Sequence, residues 1–339
     1  MLNSNLAIEE NKQAYAKTHL VVRCCTGSAV GNTPIDNSSR GSDKSVPNSR
    51  AVPNMRRRWL GKKLAEFRKH AELSQERVVA LLGGTWDEAR FSRVENGKRT
   101  ISVDDVERLI GIYGIEDAEV VQMLLALARD AHKLGNWWNL YGDAVLPSSY
   151  QEYLWVETDA HELRANAPKI IPGLLQTPDY ARVVIAATAV DSTQEDIDAR
   201  AQIRKARQAV LAYRPDRPPL RLWAIIHESA LRVTSASHPN LMRDQIDHLL
   251  EMADRPSITI QILPDTAESN PGMVNGFEIA RFPGLLPNVV NVEHFSGGVI
   301  MEGERDVTMY ETAFDLTVAA ALPATESKVR LQQIKNGSR

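Results

Sequence analysis

The sequence predicts an α+β protein, in which an all-α N-terminal part of five helices precedes a larger α+β domain with a mainly antiparallel sheet. Between residues 59 and 133 apolar residues recur at helical spacing, and capping residues precede the helical runs. From residue 220 onward, strand-like aliphatic runs follow one another with helical segments at their flanks. Strands in succession with flanking helices favour an α+β domain and a mainly antiparallel sheet.

The segment from Trp59 to Ile115 predicts four short amphipathic helices that are separated by start and stop signals. The predicted caps are Ser74, Asp87 with Thr85 as the alternative, and Ser102. A hydroxyl or carboxylate at such a position accepts a hydrogen bond from a backbone N–H that the helix leaves without a partner. Gly83-Gly84 ends the second helix, because glycine adopts the left-handed conformation of a helix end without steric cost.

The third of these helices leaves one face free. Phe91 and Val94 lie at i and i+3 and are predicted to contact the core. The opposite face carries Glu88, Ala89, Arg90 and Arg93, and the turn that follows is Asn96-Gly97-Lys98-Arg99. This order of elements is typical of a helix-turn-helix, whose second helix lies in the major groove of double-stranded DNA.

Candidate DNA contacts follow from that docking. Arg93 can pair bidentately with guanine, Ala89 can contact a thymine methyl group, and Glu88 can accept a hydrogen bond from cytosine N4. These three residues are the predicted base-facing set. The predicted phosphate contacts, which set affinity more than sequence choice, are those of Arg90, Asn96, Lys98 and Arg99.

The run LSQ, a glycine turn, SRVENGKR and a capped helix closely resembles the Xre-type helix-turn-helix, and SR-x-EN-G is the more specific part of the pattern. One departure concerns the turn, because eight residues separate Gly83 from Ser92, more than the family pattern has. The additional residues are predicted to lengthen the turn at Gly84-Thr85. The register of Glu88 and Ala89 therefore depends on how that turn is built.

Charge is divided unevenly along the chain. Residues 55–108 contain 13 Lys and Arg against 9 Asp and Glu, whereas the whole chain has a net charge of −3. A basic N-terminal region attached to an acidic remainder suits a protein that binds DNA at one end only. Arg56-Arg57-Arg58 can grip phosphate or can form a solvated charge run at a helix start.

A second basic segment is predicted as an amphipathic helix from Arg200 to Tyr213. Its predicted exposed residues are Arg200, Arg204, Lys205 and Arg207. Because the surrounding region is net negative, a solvated face or an acidic protein partner is the favoured reading over nucleic acid.

The C-terminal two thirds carry motifs of a known architecture. These are WW-x-x-Y, PGLLQTPDYAR, ARQAVL, TIQILP and AFDLTVAAAL. With the N-terminal pattern they resemble an actinomycete family, in which an Xre-type helix-turn-helix precedes a large antitoxin-like domain of unknown function. The similarity runs from residue 57 to residue 331. It implies transcriptional regulation and a small partner protein from a neighbouring gene. DNA-binding domains of this kind normally bind as homodimers.

Other function classes find less support in the sequence. The motifs GxxxxGK[ST], GxSxG and HExxH are absent, so we predict no enzyme, no catalytic residue, no cofactor and no metal site. His227-Glu228 and Glu293-His294 are predicted to be structural or surface residues. The alternative to a partner-binding regulator is a ligand-responsive regulator with a small-molecule site in the C-terminal domain.

The adjacent Cys24 and Cys25 cannot form a disulfide framework, and no apolar run approaches the roughly 20 residues of a membrane span. We therefore expect a cytoplasmic protein without a membrane partner. The predicted organisation is a disordered tail or mis-assigned start at 1–54, the helix-turn-helix at 55–115, a helical aromatic-rich connector at 116–168, an α+β interaction or regulatory domain at 169–331 and a flexible C-terminus at 332–339.

Overall fold

The computed structural model describes residues 55–131, 148–188, 192–214, 217–294 and 297–337. The predicted tail at 1–54 lies outside the described residues. Five helices form the N-terminal domain, and their bounds are α1 Met55–His70, α2 Gln75–Leu82, α3 Glu88–Glu95, α4 Val103–Tyr113 and α5 Ala118–Ala131.

The predicted caps begin three of these helices. Ser74 accepts a hydrogen bond from the backbone N–H of Arg77, and Ser102 accepts one from that of Asp105. At α3 the cap is Asp87, whose carboxylate accepts a hydrogen bond of 2.6 Å from the Arg90 backbone N–H. The helix starts are therefore local properties of the sequence.

The core of the N-terminal domain is formed by the predicted apolar faces. Its buried side chains include those of Leu60, Leu64, Val78, Leu82, Phe91, Val94, Val106 and Leu109. The fifth helix, α5, packs against α1 and α4 and buries Leu124 and Leu127. The helical N-terminal part predicted from the sequence is thus confirmed.

The C-terminal domain contains a six-stranded mixed sheet with the strand order β3-β2-β1-β4-β5-β6. The strands are β1 Glu162–Ala167, β2 Arg221–His227, β3 Ile258–Leu263, β4 Phe277–Arg281, β5 Val289–His294 and β6 Gly297–Met301. The first three strands pair in parallel, and the remaining pairings are antiparallel. The predicted α+β class with a mostly antiparallel sheet is confirmed, although no strand was expected at β1, which lies at the centre of the sheet.

Six helices surround this sheet. They are α6 Ser148–Asp159, α7 Pro178–Thr188, α8 Gln194–Arg207, α9 Leu241–Met252, α10 Glu304–Ala320 and α11 Ala324–Lys335. The last helix includes residues 332–335, for which the sequence predicts a flexible C-terminus. Its side chain at Lys335 forms an ion pair with Asp247 of α9, and this contact holds the end of the helix on the domain.

The PGLLQ segment, which is the most specific part of the resemblance, joins three elements of the C-terminal domain. The Gln176 side chain donates a hydrogen bond of 2.7 Å to the carbonyl of Ile171 and accepts one of 3.0 Å from Arg204. The Gln245 side chain of α9 donates to the carbonyl of Leu175. Gln176 and Gln245 therefore have a structural role. An amide side chain suits this role, because it donates and accepts hydrogen bonds without carrying a charge.

Arg207 of α8 is buried, contrary to the exposed position that the sequence predicts. Its guanidinium lies 2.9 Å from the carboxylate of Glu157 on α6 and donates a hydrogen bond to the Tyr150 hydroxyl. Burial raises the pKa of the Glu157 carboxyl to about 7, although Arg207 opposes this shift. A Cβ on Gly173 would lie 3.0 Å from a terminal nitrogen of the same guanidinium, a close contact that glycine avoids.

None of the helices in the described residues is long and apolar enough to cross a membrane.

We expect Gly61→Ala to lower the free energy of unfolding by about 1–3 kcal/mol, because an added methyl group would overpack the contact between α1 and α3. A Cβ at Gly61 would lie 2.5 Å from the carbonyl oxygen of Glu95 and would also contact that of Val94. Urea denaturation followed by circular dichroism measures the effect.

The matched control is Gly111→Ala on α4, where a Cβ would meet nothing within 4 Å. Alanine favours the helix there, so this variant should gain about 0.5–1 kcal/mol. Equal effects of the two substitutions would contradict the close approach of α1 and α3.

Candidate DNA-binding site

The outward face of α3 and the turn after it form the candidate site. Glu88, Ala89 and Arg93 are exposed on α3, while Phe91 and Val94 are buried on its opposite side. The N-terminus of the helix is closed by its cap, so the exposed side chains stand on a short element of defined orientation. The structure thus brings the predicted base-facing residues to one surface.

The turn at residues 96–99 extends this surface. Gly97 has a φ of +67°, a left-handed conformation that favours glycine. The backbone N–H groups of Lys98 and Arg99 both donate to the carbonyl of Arg93, at 2.8 and 3.1 Å, so the turn folds back onto the end of α3. The side chains of Lys98 and Arg99 are exposed beside that of Arg93.

Asn96 is exposed and is partly engaged within its own helix. Its side-chain amide donates a hydrogen bond of 2.8 Å to the carbonyl of Ser92. Arg90 is half-buried, and its guanidinium donates to the hydroxyl and the carbonyl of Thr85 at 2.7 and 3.2 Å. Each of the two side chains thus uses part of its hydrogen-bonding capacity within the protein.

The cations of this surface keep their charge unneutralised. Within the described part of the chain, Arg93, Lys98 and Arg99 form no ion pair. A cation that no carboxylate neutralises keeps its attraction for phosphate. The surface therefore has the electrostatic character that DNA binding requires.

An ion pair between Arg68 and Glu95, which the sequence did not predict, holds α3 in place. Arg68 of α1 binds both carboxylate oxygens of Glu95 at 2.7 and 3.1 Å and donates to the carbonyl of Leu73. Gln75 at the start of α2 donates a further hydrogen bond of 2.5 Å to Glu95. The ion pair thus connects the first three helices. Its partners are far apart in the sequence, so no local pattern signals it.

Two of the three arginines at the start of α1, Arg56 and Arg58, pair with carboxylates of the C-terminal domain. Arg56 donates a hydrogen bond of 2.6 Å to Asp159 of α6 and lies over the ring of Trp155. Arg58 forms ion pairs with Glu152 and Glu302 of the C-terminal domain. Both predictions, a phosphate grip and a solvated charge run, are therefore wrong for these two residues, because carboxylates of the C-terminal domain take up their charge.

The pair His227-Glu228 of the C-terminal domain has structural partners. The imidazole of His227 is 3.0 Å from the side-chain oxygen of Asn166, and burial lowers its pKa to about 4. The neighbouring Glu228 forms an ion pair with Arg330 of α11. In the described residues no group of three or more potential ligands is arranged to hold a metal ion.

Comparison with known proteins gives two matches. A family described as a domain of unknown function, DUF5753, matches residues 150–333, and a family described as a helix-turn-helix domain matches residues 59–123. The chain matches no curated protein and no solved structure significantly. The N-terminal domain is therefore a helix-turn-helix domain, and neither description names a catalytic activity. The Xre type and the actinomycete source stay predictions.

We expect Arg68→Leu to lower the free energy of unfolding by about 3 kcal/mol, because it leaves the carboxylate of Glu95 buried without its cation. The Glu95 side chain is 5% exposed. In the double variant Arg68→Leu/Glu95→Leu much of this loss should be recovered, since both charges are gone. A double-mutant cycle in urea measures the coupling.

The exposed pair of Lys63 and Glu66 on the same helix is the control. Lys63→Ala should cost less than about 1 kcal/mol, as surface ion pairs do. Additive effects of the Arg68 and Glu95 substitutions would contradict a buried, coupled pair.

Proposed function

The chain belongs to the DUF5753 family and carries a helix-turn-helix domain, and from this we propose that it is a sequence-specific transcriptional regulator. The observation that carries the proposal is the outward face of α3, where Arg93 is exposed beside a basic turn and is not paired with a carboxylate of the described residues. A recognition helix in the major groove uses such a face. We also propose that the protein acts in the cytoplasm.

We also propose which residues of this face contact bases and which contact phosphates. Arg93 reads guanine, and Glu88 and Ala89 at the first turn of α3 contact the neighbouring bases. The exposure of Glu88 and Ala89 at the N-terminal end of the helix supports their roles, because that end enters the groove, whereas Arg93 is exposed in the last turn of α3. Lys98 and Arg99 bind phosphates on either side of the helix, and Asn96 contributes the free part of its amide.

DNA selection from a randomised library by the full-length chain tests this function. The selected site should consist of two related half-sites about 34 Å apart if the protein binds as a homodimer. Arg93→Ala should weaken binding to the selected duplex by about tenfold or more and relax the base preference at one position, since a bidentate arginine contact is lost.

Lys98→Ala should instead weaken binding to selected and scrambled duplexes alike. It should also reduce the slope of log affinity against log salt concentration by about 0.9. Arg129→Ala on α5 removes the same charge as Arg93→Ala from another exposed position and should leave binding unchanged. Failure to select any sequence, or an Arg93→Ala variant that keeps full selectivity, would refute the proposed docking.

We further propose that the C-terminal domain binds a small partner protein, as an antitoxin-like regulator would. Exposed apolar side chains support this. Val274 and Met273 in the turn before β4 are 84% and 60% exposed, and Leu316 of α10 is 53% exposed. A Cβ at Gly272 would contact Thr317, so the turn lies against α10 and these apolar residues occupy neighbouring elements. Exposed apolar groups that lie close together are typical of protein interfaces.

Val274→Glu and Leu316→Glu should weaken association with the small protein encoded beside the chain's gene by roughly tenfold or more if these side chains are anchors of the interface. Isothermal titration calorimetry with the full-length chain measures the affinity. Val329→Glu on α11, where the valine is 54% exposed, is the matched control. Equal affinities of all three variants would refute this surface.

The ligand-responsive alternative has weaker structural support. A cavity of about 70 Å³ lies where α1 meets the connection between β4 and β5, and its lining includes Trp59, Lys62 and Leu286. Typical ligand pockets measure about 300–1,000 Å³, so this space would admit only a small molecule.

A further inference from the structure

The turn between α2 and α3 is built around Trp86. Gly83 and Gly84 both have positive φ values, +64° and +67°, which favour glycine, and they turn the chain toward the start of α3. The indole N–H of Trp86 donates a hydrogen bond of 3.3 Å to Asp105 of α4, and its ring meets Phe91 edge-on with 6.1 Å between ring centroids. The indole is therefore held from two sides and is only half-buried.

Arg90 lies on the free face of this indole. Its guanidinium carbon is 4.0 Å from the centroid of the Trp86 ring, a cation–π contact. One terminal nitrogen, Nη1, donates to the hydroxyl and the carbonyl of Thr85. Stacking and hydrogen bonding together define the plane and the rotation of the guanidinium before any ligand arrives.

The remaining hydrogen-bonding capacity of Arg90 is restricted. Its Nε is enclosed and has no acceptor among the described residues, and its Nη1 is occupied by Thr85. Bidentate recognition of guanine needs two donors on one free edge of the guanidinium. Arg90 offers only the Nη2 end with its positive charge, which suits a single charge-assisted hydrogen bond to a phosphate oxygen.

We propose that Trp86 and Thr85 are positioning residues that hold Arg90 as a preformed phosphate contact at the N-terminal edge of α3. The inference rests on the proposed DNA binding and deepens it. It also explains the longer turn relative to the Xre pattern, because the added residues supply the platform on which Arg90 rests. A preformed contact loses less side-chain freedom on binding, so it contributes affinity and register rather than base choice.

The experiment measures binding of the full-length chain to the selected duplex and to a scrambled duplex of equal length over a series of salt concentrations. Arg90→Ala should weaken binding to both duplexes by roughly tenfold. Its log–log salt slope should fall by about 0.9, and the ratio of the two affinities should stay as in the wild type. Arg129→Ala is the matched charge control.

The positioning role is tested in a double-mutant cycle. Trp86→Leu should weaken binding about threefold in the wild-type background and have no effect in Arg90→Ala, because its effect acts through the stacked guanidinium. Trp86→Phe retains an aromatic face and should retain affinity, although it loses the hydrogen bond to Asp105. Thr85→Val, which removes the hydroxyl acceptor, should weaken binding in the same Arg90-dependent way. Thermal unfolding of each variant checks that α3 is intact.

Distinct results would overturn the inference. If Arg90→Ala changes the ratio of the two affinities by about tenfold or more, Arg90 reads a base. If Trp86→Leu weakens binding equally with and without Arg90, Trp86 has a purely structural role. If the wild-type chain binds neither duplex, the proposed function fails together with this inference, whereas wild-type binding that Arg90→Ala leaves unaltered refutes the inference alone.

Discussion

The contact between α1 and α3 is the constraint on which the candidate DNA-binding surface depends. At Gly61 the two backbones approach so closely that no side chain fits between them. About two helical turns further along α1, the Arg68 guanidinium binds the Glu95 carboxylate at the end of α3. Steric contact sets the separation of the helices, and the ion pair sets their relative register. The outward direction of Arg93 follows from both.

The same helix also joins the N-terminal domain to the C-terminal domain. Trp59 packs edge-on against Phe282, with 4.9 Å between ring centroids, and Arg58 pairs with carboxylates of α6 and of the segment after β6. The Arg58 backbone also lies against Gly97, in the turn that presents Lys98 and Arg99. Direct contacts of Arg58 therefore connect these carboxylates of the C-terminal domain to the turn at residues 96–99.

Arginines of this protein differ in whether a carboxylate of the C-terminal domain neutralises them. Arg56, Arg58 and Arg207 are neutralised by Asp159, Glu302 and Glu157 respectively, and they hold elements together. Arg93 and the basic turn are left with their charge. Formal charge along the sequence cannot distinguish these groups, because Coulomb attraction depends on distance in space and on burial.

The amino-acid sequence alone determined the helices of the N-terminal domain, their caps and the outward face of α3. Capping and i, i+3 spacing involve residues that are neighbours in sequence, so they need no tertiary contact. The strand β1 could not be recognised, since ELRANA lacks the β-branched and aromatic residues of typical strands and owes its place to pairing on both sides and to buried Asn166. The pairing of Arg68 with Glu95, the burial of Arg207 and the Arg90 platform were decided by the tertiary structure. Most of these contacts join residues that only the packed helices bring together, and even the nearby Trp86 is oriented by Asp105 of another helix.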